Sequence, residues 1–269
     1  MNTAFIGGGN MASAILGGMI RSGTSAQNIT VVEPDAAARE RLSKEFGIQV
    51  LAASVPELRA ADLVIWAVKP QVFKQAAQAC QAHTGKALHL SVAAGINSDS
   101  IAQWLATNRV VRAMPNTPAL VGKGMTALFA RSDVTTTERE HIKQTLAATG
   151  ELLWVEKETQ LDAVTALSGS GPAYVFYFLE AMVDAGTALG LSRDQAYTLA
   201  LGTFGGATAL ASQSADAPEV LRQRVTSKGG TTYAAITSME QNEIKEKFVA
   251  AMAAACNRAQ ELGVEFGRG

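Results

Sequence analysis

The stretch TAFIGGGNMASAI, residues 3–15, places a short apolar run directly before three consecutive glycines. Residues 7–12 fit the pattern G-x-G-x-x-A, the alanine variant of a turn that joins a strand to a helix and binds dinucleotides. In that turn the first glycine allows the tight bend, and the second lets a pyrophosphate approach the backbone. The helix start then offers free N–H groups and a favourable dipole to the phosphates. An ordinary glycine-rich turn is the alternative, but the strand–turn–helix context favours the dinucleotide interpretation.

Other cofactor contacts are expected where later strands end, because a doubly wound sheet binds ligands beyond the carboxyl ends of its strands. Glu33 stands where an acidic side chain takes ribose hydroxyls. That contact would favour NADH over NADPH, because the 2′-phosphate of NADPH would meet a like charge, which Arg39 and Arg41 could partly offset. The alternative is that Glu33 is only a solvated carboxylate before a Pro-Asp turn. Asn116 is expected either to bind the nicotinamide carboxamide or to hold its own loop. The predicted cofactor-binding residues are Gly7, Gly8, Gly9, Asn10, Met11, Glu33, Ala67, Val68, Lys69, Pro70, Ala93, Ala94, Gly95 and Asn116.

Composition excludes several classes of function. The 269 residues are 48% hydrophobic and 17% charged, which is enough for a sizeable core and two domains. The net charge of -1 provides no basic surface for nucleic acid or for an acidic membrane. Cys80 and Cys256 lie far apart, so we expect reduced thiols in a cytoplasmic protein rather than a metal site or a disulfide. No signal peptide is expected, because the first apolar run is too short.

Short β-branched runs alternate with helical patterns in the first half of the chain, which predicts βαβ units and a parallel sheet. The runs are Thr3–Ile6, Ile29–Glu33, Leu63–Val68, Ala87–Val92, Val110–Ala113, Met125–Ala130 and Glu151–Val155. Helical patterns occur at Asn10–Ser22, Ala36–Phe46, Val72–Gln81, Thr135–Thr149, Pro172–Leu189 and Gln195–Ser212. We therefore predict an α/β Rossmann domain at residues 1–155 and an all-helical domain for substrate binding and dimerisation at residues 156–269.

Six motifs along nearly the whole chain resemble those of pyrroline-5-carboxylate reductases. They are FIGGGNMA, AVKPQ, SVAAGI, RAMPNTPALVGKG, LSGSGPAYVF and VTSKGGTTYAAITSME. The resemblance implies a homodimer through the helical domain, in some cases a ring of dimers, with the active site between the two kinds of domain. It also implies hydride transfer from NADPH or NADH to the C=N carbon of 1-pyrroline-5-carboxylate, which gives L-proline in the last step of proline biosynthesis.

The glycine-rich turn SKGGTT, residues 227–232, enters a helix, so its free N–H groups and hydroxyls are suited to an anion. The resemblance assigns this turn to the substrate and places the Thr232 hydroxyl near the imine nitrogen, as the catalytic residue. The alternative is that Thr231 or Thr232 only caps the helix. The substrate-binding residues implied are Ser227, Gly230, Thr231, Ser170 and Gly171.

Two positions depart from the family pattern. Ser54 matches a cofactor-ribose contact for which the family often has asparagine, and Lys228 stands where proline is common. The turn that contains Ser170 and Gly171, residues 168–172, also has the Ser and Pro signals of an ordinary helix start.

Two other functions remain open from the sequence: a 3-hydroxyacid dehydrogenase of similar build, and a dinucleotide sensor without turnover. The first would call for a lysine in the helix at residues 172–189, which contains neither lysine nor histidine. His83, in a loop after a helix, His89, in a strand, and His141, on a helix surface, are expected to be structural or solvated. A protonated imine needs no such group, because its carbon is already electrophilic.

Overall fold

The structure is a computed structural model that describes residues 1–267. It divides into two compact units. The first runs from Met1 to Pro172 and takes in the chain again from Ala254 onward, and the second is Ala173–Ala253. The sequence-based division after residue 155 stays a prediction.

The first unit contains an eight-stranded sheet of order β3-β2-β1-β4-β5-β6-β7-β8. All neighbouring strands pair in parallel except β6 and β7, which are antiparallel. The order 3-2-1-4-5-6 is that of a doubly wound dinucleotide-binding sheet, so the predicted Rossmann fold is confirmed. The strands are β1 (Thr3–Ile6), β2 (Ile29–Val32), β3 (Gln49–Leu51), β4 (Leu63–Trp66), β5 (Leu88–Ser91), β6 (Val110–Met114), β7 (Gly124–Ala130) and β8 (Gly150–Trp154).

Helices connect the strands and make up the rest of the chain. Within residues 1–267 they are α1 (Asn10–Arg21), α2 (Ala36–Phe46), α3 (Pro70–Thr84), α4 (Ser98–Leu105), α5 (Thr136–Leu146), α6 (Gln160–Val164), α7 (Gly171–Ala188), α8 (Arg193–Ser212), α9 (Pro218–Arg224), α10 (Thr231–Gln241) and α11 (Ile244–Gly267). None of these helices is long and apolar enough to cross a membrane.

The central strands β1, β4 and β5 are buried along their whole length, on both faces of the sheet. Successive side chains of a strand point to opposite faces. Phe5 and Ile65 therefore pack in one buried cluster, while Val64 and Trp66 pack in another. This two-sided core fixes the carboxyl ends of β1, β4 and β5 relative to one another.

Seven of the eight strands match the predicted runs to within two residues at each end. Strand β3 was not predicted, because its three residues, with Gln49 exposed, are too few to show a periodicity. Helix α4 was not predicted either, although Asn97 caps that helix by accepting a hydrogen bond from the N–H of Ser100 at 2.8 Å. The expected helix at residues 135–149 is α5 followed by a 3₁₀ turn at Ala147–Thr149.

The second unit consists of helices around a small core. Leu179, Val183, Ala196 and Ala200 form its buried cluster. Many large apolar side chains of this unit are exposed in the single chain, among them Tyr177, which is 69% exposed. So large an apolar surface indicates a protein–protein contact.

His89 is a buried histidine of β5. Its Nδ1 accepts a hydrogen bond of 3.0 Å from Nε1 of Trp66, which fixes the neutral ring in one tautomer. Burial lowers the pKa of His89 to about 4, and the positive charge of Arg109 acts in the same direction. The expected structural role of His89 agrees with this environment.

Because the folded-state pKa of His89 lies below the unfolded value of about 6.5, the unfolded chain binds more protons between these two values. Stability from this residue is complete above pH 6.5, and about 3 kcal/mol of it is lost as the pH falls to 4. We expect His89→Gln to flatten this part of the curve of unfolding free energy against pH, measured by denaturant at one protein concentration. His141→Gln, at an exposed site on α5, is the matched control, and parallel curves for His89→Gln and wild type would contradict the assignment.

Candidate active site

The glycine turn lies where the strand order reverses, between β1 and its neighbours β2 and β4. Gly7 has a φ of +96°, and its N–H donates to the carbonyl of Val32 at 2.9 Å. A Cβ on Gly7 would lie 2.6 Å from the carbonyl oxygen of Ala67. Both the backbone angle and the space therefore require glycine. Doubly wound sheets bind their ligands in this crevice.

The peptide groups on both sides of Gly8 are held by side chains. The Gly8 N–H donates to Oε2 of Glu33 at 2.8 Å, and the Gly8 carbonyl accepts from Nη2 of Arg41 at 3.1 Å. The other oxygen of Glu33 accepts from the N–H of Asp35 at 2.9 Å. Glu33 thus helps to shape the turn, and its predicted ribose contact stays a prediction. The sequence indicates only the charge of Arg41, and its hydrogen bond to the Gly8 carbonyl was not predicted.

Gly9 forms the N-cap of α1 with an extended backbone and no side-chain cap. A Cβ at this position would meet nothing within 4 Å, and Gly9 and Asn10 are both exposed. Asn10 and Met11 begin the helix, so the first-turn N–H groups have no capping side chain. Backbone donors with open space before them fit the pyrophosphate of a dinucleotide.

Two further predicted segments follow the neighbouring strands β4 and β5. After β4, Lys69 is the N-cap of α3 and Pro70 is its first residue, where the missing N–H costs nothing. After β5, Ala93 is buried and Gly95 has a φ of +73°. Both segments therefore lie at the carboxyl edge of the sheet that carries the glycine turn.

Asn116 uses both groups of its amide within the protein. Its Oδ1 accepts from the N–H of Met125 at 2.9 Å, and its Nδ2 donates to the Ser168 carbonyl at 3.1 Å. Pro172 has no N–H and cannot make the helical bond to the Ser168 carbonyl four residues earlier. Asn116 supplies the missing donor. The geometry favours the loop-holding interpretation, and a contact between Asn116 and nicotinamide stays a prediction.

The segment that contains Ser170 and Gly171 is not the ordinary helix start that its Ser and Pro signals suggested. A π-helical turn at Thr165–Gly169 continues directly from α6, and the Ser170 N–H donates to the Thr165 carbonyl at 2.8 Å. A turn with hydrogen bonds five residues apart is rare and frequently marks a functional site. Within this turn, Gly169 is packed so closely that a Cβ would lie 2.4 Å from Cε of Met114.

The SKGGTT turn lies in the second unit, between α9 and α10. Gly229 has a φ of +75°, and the Gly230 N–H donates to the Ser227 carbonyl at 3.0 Å, which closes the turn. Gly230 is the N-cap of α10 and has no side chain to cap it, so neither threonine plays that role. Thr231 and Thr232 are the first two residues of the helix, and both are exposed.

This start of α10 can bind an anion. Its first-turn N–H groups are free of side-chain caps, and within residues 1–267 the hydroxyls of Ser227, Thr231 and Thr232 make no hydrogen bond that would occupy them. Lys228 is exposed beside them. The turn therefore offers backbone donors and three hydroxyls to a carboxylate.

Ser54 follows β3 at the carboxyl edge of the sheet. Its Oγ lies 2.9 Å from Nδ1 of His83, within hydrogen-bonding distance. The expectation that His83 lies in a loop is wrong, because α3 continues to Thr84 and places His83 in its last turn. The ribose contact of Ser54 stays a prediction.

The sheet and the glycine turn at its switch point define a dinucleotide-binding fold, and the comparisons with known proteins identify the chain as an NAD(P)-dependent oxidoreductase. A family model described as NADP oxidoreductase, coenzyme F420-dependent, matches residues 2–95, and one described as pyrroline-5-carboxylate reductase dimerisation matches residues 158–262. The chain belongs to the pyrroline-5-carboxylate reductase family.

Relatives in this family match the chain over almost its full length. The pyrroline-5-carboxylate reductase of Pseudomonas aeruginosa is 44% identical over 267 residues, covering 98% of each protein. A solved structure of the Coxiella burnetii enzyme is 37% identical, with a TM-score of 0.89 over 97% of this chain and 98% of that one. The Plasmodium falciparum pyrroline carboxylate reductase, solved with NADP bound, is 28% identical, with a TM-score of 0.87 over 98% of each chain.

Proposed function

We propose that this protein reduces 1-pyrroline-5-carboxylate to L-proline, the last step of proline biosynthesis, with NADPH or NADH. The observation that carries this proposal is the start of α10, where uncapped N–H groups and three hydroxyls lie together in a member of the pyrroline-5-carboxylate reductase family. A protein that only sensed a dinucleotide would not need this second anion site.

The glycine turn of the first unit is suited to hold the cofactor. The open space before Gly9 admits a pyrophosphate, while Gly7 and the braced Gly8 keep the backbone donors in place. When bound, the reduced nicotinamide supplies the hydride. Glu33 would meet the 2′-phosphate of NADPH with a like charge, so we propose that it favours NADH.

In the second unit, Ser227, Gly230 and Thr231 would hold the substrate carboxylate through N–H groups and hydroxyls. The Thr232 hydroxyl accepts a hydrogen bond from the protonated imine nitrogen and so orients the ring. After reduction the same hydroxyl can donate to the nitrogen lone pair, and water completes the protonation of the product. Threonine is a poor acid, so Thr232 orients the nitrogen and does not supply a proton of its own.

Helix α7 lacks the lysine that a 3-hydroxyacid dehydrogenase of this build would carry there. Residues 171–188, which form α7, contain neither lysine nor histidine. A carbonyl oxygen gains a proton as hydride is added and needs a positioned acid. An imine that binds already protonated becomes an amine without one, so the composition of α7 supports imine rather than ketone reduction.

An absorbance assay tests the function directly. Purified protein is mixed with NADPH or with NADH, first with pyrroline-5-carboxylate and then with a 3-oxo acid or its semialdehyde. We expect oxidation of the reduced cofactor only with the cyclic imine, and faster at low concentrations of NADH than of NADPH. Oxidation with the 3-oxo acid would identify a dehydrogenase, and tight cofactor binding without oxidation would identify a sensor.

The dimerisation domain indicates a homo-oligomer. We propose that its basic form is a dimer, which can assemble further into a ring of dimers. The exposed apolar side chains of the second unit, such as Phe176 at 58%, support burial against a second copy. We also propose a cytoplasmic location, which suits two free cysteines.

A further inference from the structure

The turn at Ala93–Gly95 has few side-chain atoms with which to hold its own position. It follows β5 at the carboxyl edge of the sheet. The neighbouring strand is β4, and Ala67, directly after β4, lies against Gly7. Its residues are two alanines and a glycine, so contacts from other elements must fix its backbone. This turn is one of the segments that the proposed function assigns to the cofactor.

One support of the turn comes from the C-terminal helix, more than 160 residues away in sequence. A Cβ placed on Gly95 would lie 3.2 Å from Cβ of Leu262 and 3.4 Å from Cδ2 of Phe266. The Phe266 ring also packs against the buried cluster that contains Ala93 and Ile96. The last two turns of α11 therefore lie directly against the backbone of the Ala93–Gly95 turn.

A hydrogen bond anchors the end of α11 at the same place. The Ser100 hydroxyl, in the first turn of α4, donates to the Gly267 carbonyl at 3.2 Å. That helix start is itself fixed by Glu158, whose carboxylate accepts from the Ser98 N–H at 2.6 Å and from Nη1 of Arg112 at 2.7 Å. The start of α4, just after the turn, is thus held by part-buried polar contacts, and Gly95 itself is held by the apolar side chains of α11.

We propose that the last two turns of α11, through Leu262 and Phe266, position the Ala93–Gly95 turn for cofactor binding. This inference rests on the proposed function for the identity of the cofactor. Binding sites lose affinity when their supporting contacts allow shifts of an ångström or less. Phe266 is a positioning residue: it acts through Gly95, and its own ring is packed in the hydrophobic cluster.

The test is a titration of the purified full-length protein with NADPH and with NADH, followed by nicotinamide fluorescence without any imine present. We expect Phe266→Ala to raise the dissociation constant about tenfold, with kcat at saturating cofactor falling by less than threefold. Phe266→Leu restores most of the apolar volume and is expected to stay within about threefold of wild type. Val264→Ala, in the same helical turn but 50% exposed, is the matched control.

If Phe266→Ala does not fold, Phe266→Leu and Phe266→Val still report a dissociation constant that should rise with the volume removed. Equal dissociation constants for wild type and the folded Phe266 variants would overturn the proposal. An equal rise for Val264→Ala would do the same, since it would show general loosening of the helix. The titration needs no turnover. A protein that bound cofactor without reducing the imine would therefore refute the proposed function, while the dissociation constants of the Phe266 variants would still test this proposal.

Discussion

Gly9→Val is expected to raise the dissociation constant for NADPH and NADH about a hundredfold, equivalent to about 2.7 kcal/mol, while the protein remains folded. The surroundings of Gly9 explain why cofactor affinity should fall while folding is unaffected. Its backbone is extended, with a φ of -74°, which valine adopts without strain. A Cβ there meets no protein atom within 4 Å, so the new side chain disturbs no packing.

The space that the valine would occupy is the space before the uncapped N–H groups of α1. A pyrophosphate must approach those donors closely, and two added methyl groups would keep it away. Affinity should therefore fall for both cofactors alike, because the pyrophosphate is common to them. A substitution of Glu33, by contrast, would change the difference in affinity between NADH and NADPH.

The measurement is cofactor titration by fluorescence together with thermal unfolding of the same samples. Gly85→Val is the matched control, since a Cβ at Gly85 has only an ordinary contact of 3.5 Å and lies after α3, outside the glycine turn. We expect that control to bind cofactor as wild type does. Wild-type affinity in folded Gly9→Val protein would show that the phosphates bind elsewhere and would remove the glycine turn from the site.

The alternation of strands and helices could be predicted because it depends on local physics. Apolar β-branched runs, a glycine turn and helical periodicity each act within a few residues. Local patterns did not predict β3, because this three-residue edge strand is defined by its pairing with β2. Its own residues carry too few positions to show a period.

The candidate site contains contacts that no local pattern encodes. Asn116 and Ser168 are 52 residues apart, and their hydrogen bond exists because Pro172 leaves a carbonyl without its helical donor. The proline is a signal that sequence analysis could have used: it marks which carbonyl is free, although not which side chain will satisfy it. The contact between Phe266 and the turn at Gly95 has no such signal, because it depends on the packing of the whole first unit.

Loss of the Thr232 hydroxyl is expected to lower kcat/KM for pyrroline-5-carboxylate by about tenfold to 150-fold, with little change in cofactor affinity. The expected size follows from a hydrogen bond to a charged partner, worth about 1.5–3 kcal/mol. Thr232 is the second residue of α10, while Gly230 provides the N-cap, so removing the hydroxyl takes no capping bond from the helix. The fold should therefore tolerate the change.

Two substitutions separate the hydroxyl from the shape of the side chain. Thr232→Val has nearly the same volume and branching but cannot hydrogen-bond, and it should lose as much activity as Thr232→Ala. Thr232→Ser keeps the hydroxyl and should recover most of it. Thr231→Ala tests whether the Thr231 hydroxyl holds the substrate carboxylate. If it does, KM for the imine should rise more than kcat falls.

Steady-state kinetics with pyrroline-5-carboxylate varied at saturating NADPH or NADH measure these effects, and fluorescence titration checks cofactor binding separately. An orienting hydroxyl acts on the bound imine, so its loss appears in the imine parameters and leaves the cofactor dissociation constant near that of wild type. Were Thr232→Val as active as wild type, the hydroxyl would have no part in the reaction, and water would have to orient the imine nitrogen. Were Thr232→Ser as inactive as Thr232→Val, the reaction would require both the hydroxyl and the methyl group of threonine, and the hydroxyl alone would not account for the role of this residue.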